Sequence, residues 1–345
     1  PPPPPTTPRH GVRRQRQMCI RDSTYLAKRR FQRHHAPPGA GESWSRWQWF
    51  MLIWLVLFTH SILDALTIYG TWLFWPFGEQ PVMGGSIFII DPLFTLPLIV
   101  ATIMLVRRRA RDSGKRIATV ALVLSCSYLA WGVFAKQHVE RIAAEALTAQ
   151  GRSWSNLVAT PTPFNSILWR IVALDGDQYL EGFYRLGEQA DAPRFCIYPR
   201  NGRLIAPLLP NTHIERFTRF NHGFHAYRLA GDKLVGEDLR MGASPYYFFA
   251  FVFAQSALAQ DGADDSTVEG GLASYQPVTP TSQPTAFDPG HFFGWLWERM
   301  RNPAVPGLDP SAGSCSGLED SETTGQEVSL AATPVGFGTG RTDIE

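Results

Sequence analysis

The sequence lacks the short motifs that mark the common catalytic classes. It has no GxSxG elbow, no GxxxxGK[ST] loop, no GxGxxG behind a strand and no HExxH helix. Serine-hydrolase, P-loop, dinucleotide-binding and zincin readings therefore have no support. Cysteine is scarce. Cys19, Cys126, Cys196 and Cys315 are far apart and form no CxxC, so neither a zinc ribbon nor a disulfide framework is indicated. Residues 1–35 hold no apolar run of the kind a signal peptide needs. The net charge of +2 is too small to name a partner.

Each end lacks charge of one sign. Residues 1–36 carry nine Lys or Arg against one acid, Asp22, and residues 303–345 carry seven acids against one base, Arg341. Both ends are rich in Pro, Gly, Ser or Thr and poor in large apolar residues, so they bury too little surface to offset ordering entropy. Residues 1–44 are expected to be a disordered basic arm and 303–345 a disordered acidic tail. The segment Arg14–Ser23, RQRQMCIRDS, resembles translated sequencing-adapter read-through, and the chain starts with proline. Residues 1–23 are accordingly read as unnatural, and the gene as truncated at its 5′ end. A mean hydropathy of −0.12 reflects dilution of apolar segments by these polar ends.

What is present is a set of three apolar stretches, Trp47–Leu66, Gly85–Val106 and Ile117–Ala135. Each approaches the length needed to cross a hydrocarbon core of roughly 30 Å at about 1.5 Å per residue. Trp72, Trp75 and Phe77 suit an interfacial aromatic belt. The loop Arg107–Arg116, RRRARDSGKR, has six bases and one acid. The positive-inside rule puts it in the cytoplasm, touching anionic lipid rather than nucleic acid. The expected membrane domain is 45–135, with an exit helix at 136–151.

His60 and Asp64 lie four residues apart in the first stretch, on one helical face. Ionisable groups at membrane depth are costly and usually functional. Imidazole and carboxylate are ligands for zinc, manganese or iron, though two are too few for a site. The alternative is that both bridge neighbouring helices. The predicted topology puts Asp91 at similar depth, as a third ligand or base. Asp91 precedes Pro92, so an N-cap role is equally open. Thr67, one turn past Asp64, is a candidate to orient a ligand. His138, His213, His222 and His225 follow no defensible metal spacing, and Asp238 and Arg240 read as a local structural pair.

Beyond the apolar stretches, residues 152–258 read as a small α+β domain with an antiparallel sheet on the outer side. Tyr179–Leu186 is strand-like, and Phe224–Arg240 is a hairpin turning at Gly231–Asp232. Thr212–Phe220 is a short helix capped by Asn211. Residues 259–289 read as a polar linker and 290–302 as an aromatic helix. The expected fold class is thus a membrane α-helical domain of about three spans, followed by a small α+β domain.

FTHSILDALTIYGTWLFWPF, with SIFIIDPLFTLP behind it, resembles the bacterial membrane-bound metal-dependent hydrolases. The matching positions are His60, Asp64, Thr67, Gly70, Trp75 and Pro76, with Asp91 in the second segment. PTPFNSILWR, YLEGFYRL and DLRMG extend the resemblance over roughly residues 45–255. It implies a divalent metal held by His60, Asp64 and Asp91 that activates water. The substrate would be a lipid or another envelope compound, at the cytoplasmic (inner) membrane. The family's early Pro-Asp-x-Asp and His-Arg-Gly-x-Thr-His-Ser elements are missing, which implies an inactive fragment. The other expectation is a non-enzymatic membrane anchor presenting the outer domain to a partner.

Overall fold

The computed structural model describes residues 45–308 apart from 79, 109–110, 189–192, 257–274, 284–285, 304 and 306. The basic arm and most of the acidic tail expected from the sequence lie outside the described residues. The chain divides into two compact units, Pro1–Thr59 and His60–Glu345.

Helix α1 runs Arg46–Leu66 and crosses the boundary between the units, so both ends of one apolar helix share a backbone. Its first unit exposes Phe50, Trp54, Leu55, Val56 and Phe58, as a helix meant for lipid must. In the second unit the carbonyls orphaned at the end of α1 are taken up by the following loop. Gly84 N–H donates to Ala65 at 2.6 Å and Ser86 N–H to Leu66 at 2.8 Å.

The second apolar stretch is not one helix. Residues 84–91 are irregular, and helix α2 occupies only Pro92–Arg108. The reason is the Asp91-Pro92 start, where the Asp91 Oδ1 accepts from Leu93 N–H at 2.9 Å and Phe94 N–H at 3.3 Å. Helix α3 then runs unbroken for 39 residues, Arg111–Ala149. By length and composition α1 and α3 are able to cross a membrane, while α2 is a shorter apolar helix. Two helices of span length, rather than three, are therefore present among the described residues.

The two halves of α3 are dressed differently. Val120, Leu122, Val123, Leu124, Trp131 and Phe134 are exposed, whereas Val139, Ala143 and Leu147 are fully buried. The buried stripe packs on one face of a four-stranded antiparallel meander, β1 (Asn156–Pro161), β2 (Leu168–Asp175), β3 (Gln178–Arg185) and β4 (Arg194–Pro199). Trp169, Ile171 and Ala173 of β2 meet α3, while Val172 and Leu174 point into a second core with Phe224, Leu239 and Tyr247. Burial on both faces explains why LWRIVALD reads as a near-continuous apolar run rather than an alternation.

A 3-10 turn (Gly202–Leu208) and helix α4 (Thr212–Phe220) lead to the second half. Asn211 caps α4, its side chain accepting from His213 and Ile214 N–H. Strands β5 (His225–Ala230) and β6 (Lys233–Asp238) form the expected hairpin, with Gly231 at φ +59° in the turn. A small ladder pairs β7 (Gly242–Ala243) with β8 (Tyr246–Tyr247). Strand β9 (Ala250–Ser256) and strand β10 (Tyr275–Ser282) complete a second sheet in the order β10-β9-β6-β5.

Strand β10 corrects the linker expectation for 259–289. Its sequence, YQPVTPTS, carries two prolines, which read as loop. Proline is tolerated in an edge strand, and β10 is at the sheet edge with a register break between Pro277 and Thr281. Helix α5 (Pro289–Arg301) is capped by Asp288 and docks through the buried Arg299, which donates to Phe183 O at 2.8 Å and pairs with Glu188. Cys196 is disulfide-bonded, contrary to the sequence expectation, and its partner falls outside the described residues. Sequence distance hid it, because no spacing rule links a strand cysteine to a remote segment.

Candidate functional site

The residues singled out in the sequence do not gather at one point. His60 Nε2 lies 3.5 Å from Asp64 Oδ2 across one helical turn. Both side chains stand open, at 68% and 52% exposure, so among the described residues no second protein wall encloses them. Thr67 sits at the helix end, where its hydroxyl donates to the main-chain carbonyl of Asp64 at 2.7 Å. That bond satisfies an orphan carbonyl at the end of α1 and goes to the main chain of Asp64 rather than to its carboxylate.

Asp91 has a different setting. It is 2% exposed, and besides capping α2 its Oδ2 accepts from the Tyr128 hydroxyl of α3 at 2.7 Å. Ser125 of α3 donates to Phe94 O at 2.9 Å beside it. Asp91 is thus a clasp between the start of α2 and the middle of α3. Among the described residues no three His, Cys, Asp or Glu side chains come together as a metal group. His60 and Asp64 supply two donors where a divalent ion needs at least three or four. His60 and Asp64 alone do not complete a site for the implied metal.

The remaining histidines are structural in their contacts. His225 is buried, and its Nδ1 faces Asn221 Oδ1 at 3.1 Å, which calls for the proton on Nδ1. Burial, then the nearby Arg200, pushes its pKa down to about 4. His222 is also lowered, by burial and then by Arg240.

The sequence reading missed the buried Arg170–Glu181 pair, while the local Asp238–Arg240 pair that it expected is present. Arg170 of β2 and Glu181 of β3 pair side by side, and Arg170 also donates to Leu239 O at 2.7 Å. Glu181 further accepts from Ser244 N–H at 3.1 Å and the Tyr247 hydroxyl at 3.3 Å. Burial, then the Glu181 charge, holds the Tyr247 hydroxyl well above its usual pKa. Arg240 folds back onto Asp238, with Nη2 to Oδ2 at 2.7 Å, and its guanidinium lies 4.6 Å from the Phe220 ring centre. The available signal was an Arg and a Glu inside otherwise apolar strand runs, LWRIVALD and YLEGFYR.

Arg170 and Arg240 are both among the residues lining a cavity of about 400 Å³. Its walls are otherwise mostly apolar, from the irregular segment Ile87–Ile90, the turn after β1, the β7 region and α5. That volume falls within the roughly 300–1,000 Å³ of small-molecule sites. Phe164 stands at its centre of aromatic contacts, with ring centres 5.8 Å from Phe88 and 5.9 Å from Phe293. Phe164 has φ +65°, a rare conformation for a bulky side chain. The turn is held by Asn165, whose Oδ1 accepts from Ile167 and Leu168 N–H, each at 2.9 Å, and whose Nδ2 donates to Thr162 Oγ1 at 2.9 Å.

Comparison with known proteins bears on the helical part. A family model described as YdjM inner membrane protein matches residues 23–139. The match ends within α3, so the β-rich part lies beyond it. No curated protein and no solved structure matches the chain. The family match and the two span-length helices together support a protein of the bacterial inner membrane, in contact with the lipid bilayer.

Proposed function

We propose that this chain is a membrane-anchored binding protein, whose apolar helices hold the β-rich domain against the outer face of the inner membrane. The observation that carries this reading is the double use of α3. Its first half exposes large apolar side chains, and its second half is core to the β1–β4 sheet. A helix continuous through both roles ties the domain to the bilayer without a flexible linker. The outer side is supported by the six bases of Arg107–Arg116, which span the end of α2 and the start of α3. It is also supported by the disulfide at Cys196, since disulfides persist in oxidising compartments. Alkaline extraction of membranes tests the anchoring: the full chain stays in the membrane pellet, and release into the supernatant would refute it.

A second reading, a metal-dependent hydrolase acting on a lipid or envelope compound, is favoured by the His60–Asp64 pair alone. Metal content by mass spectrometry decides between the two. The anchor reading expects no stoichiometric zinc, manganese or iron in the detergent-purified chain. Stoichiometric metal that disappears in both His60→Ala and Asp64→Ala would instead establish the hydrolase site.

A further inference from the structure

We propose that the aromatic cavity beside Ile87–Ile90 takes a long acyl chain. This rests on the membrane-anchored reading above and assigns a ligand to the domain it anchors.

Three observations fix the ligand class. The first is the lining. Phe88, Phe164, Phe248, Phe292, Phe293 and Trp295 give the cavity an apolar wall of a kind that favours hydrocarbon over a polar solute.

The second is position. Ile89 and Ile90 line the cavity and are still 45% and 64% exposed, and the apolar helix α2 begins two residues later. Phe164 and Phe293, stacked on each other, are also partly open. A chain leaving the bilayer along α2 would meet apolar side chains the whole way. A water-soluble ligand would have to approach through the same greasy rim.

The third is polarity. The charged residues of the lining are Arg170 and Arg240, and each is already balanced by a buried partner, Glu181 and Asp238. A wall whose charges are balanced within the protein suits a largely apolar ligand rather than an ion.

The same chemistry could arrive as a membrane phospholipid or as a free fatty acid. The test therefore uses the full chain in phosphatidylethanolamine–phosphatidylglycerol vesicles. One arm contains phosphatidylglycerol with a diazirine in its acyl chain, and the other contains the free diazirine fatty acid. After irradiation, peptides are mapped by mass spectrometry. Adducts on the peptides of Phe88, Phe164 or Phe293, competed by unlabelled lipid, are expected. Adducts from the phospholipid arm assign the membrane as source, and adducts from the fatty-acid arm alone assign the free acid. Ile89→Trp, which narrows the cavity at its exposed rim, should cut the adducts at least tenfold while leaving those on α1 and α3 unchanged. Adducts confined to α1, α2 and α3 in both arms would overturn the acyl-chain proposal and leave the anchor reading standing. Loss of adducts from α1 and α3 as well would overturn the anchor reading too.

Discussion

At the scale of single residues, the polar groups of this chain work mainly as fasteners. Asp91 was legible as an N-cap from Asp-Pro alone, but its second bond, to Tyr128, was not, because that partner is 37 residues away. Replacing Asp91 with Ala removes a cap, worth about 0.5–2 kcal/mol, and leaves the Tyr128 hydroxyl without its acceptor. Thermal unfolding in detergent should show a clear loss for Asp91→Ala and a smaller one for Asp91→Asn, which keeps an acceptor. Equal losses would contradict the clasp. His225 makes a pH prediction. Its folded pKa of about 4 lies below the ordinary value near 6.5, so the unfolded chain binds the proton first. Stability from this group is full above about pH 6.5, falls as the pH drops from there to about 4, and levels off below. The loss is on the order of 3 kcal/mol. Unfolding measured from pH 7 to 4 should show that decline, and His225→Phe should flatten it.

At the scale of elements, local signals were readable wherever the cause was local. The α4 cap, the β5–β6 turn at Gly231 and the aromatic helix α5 all follow from residues within a few positions of each other. The failures have distant causes. Strand β10 was obscured by its prolines, which only an edge position permits. The short α2 was hidden because apolar composition continues through residues 85–91, which are irregular. That irregular segment needs close contact with α3. A Cβ at Gly132 would sit 2.5 Å from Ser86 O, so the loop presses on α3 where glycine leaves room. Gly132→Val should push the two apart and lower stability by about 1–3 kcal/mol. Gly114→Val, near the other end of α3, meets only the flexible Leu105 side chain and should cost less. Equal costs in thermal unfolding would mean that the contact at Ser86 is unimportant.

At the scale of the whole molecule, fold class was legible and the site was not. Apolar runs announced membrane helices, and alternating or continuous apolar segments announced an antiparallel domain. The metal expectation came from proximity in sequence, His60 to Asp64, and from a shared predicted depth with Asp91. Shared depth does not bring side chains together, and Asp91 is engaged by Tyr128 and the α2 backbone instead. The cavity escaped notice for the converse reason. Phe88, Phe164, Phe248 and Phe293 come from four separate parts of the chain, and each reads singly as an ordinary core or surface aromatic.

The account stands on α3 being both a membrane span and a part of the outer domain. Site-directed labelling tests this directly. With the free Cys126 replaced by serine, Arg216→Cys on the exposed face of α4 and Lys115→Cys at the start of α3 each add a reporter thiol, read against the same chain without it. A membrane-impermeant maleimide applied to intact spheroplasts should label Arg216→Cys at once and Lys115→Cys only after permeabilisation. The reverse pattern would put the β-rich domain in the cytoplasm, and labelling of both without permeabilisation would mean that α3 does not span the membrane.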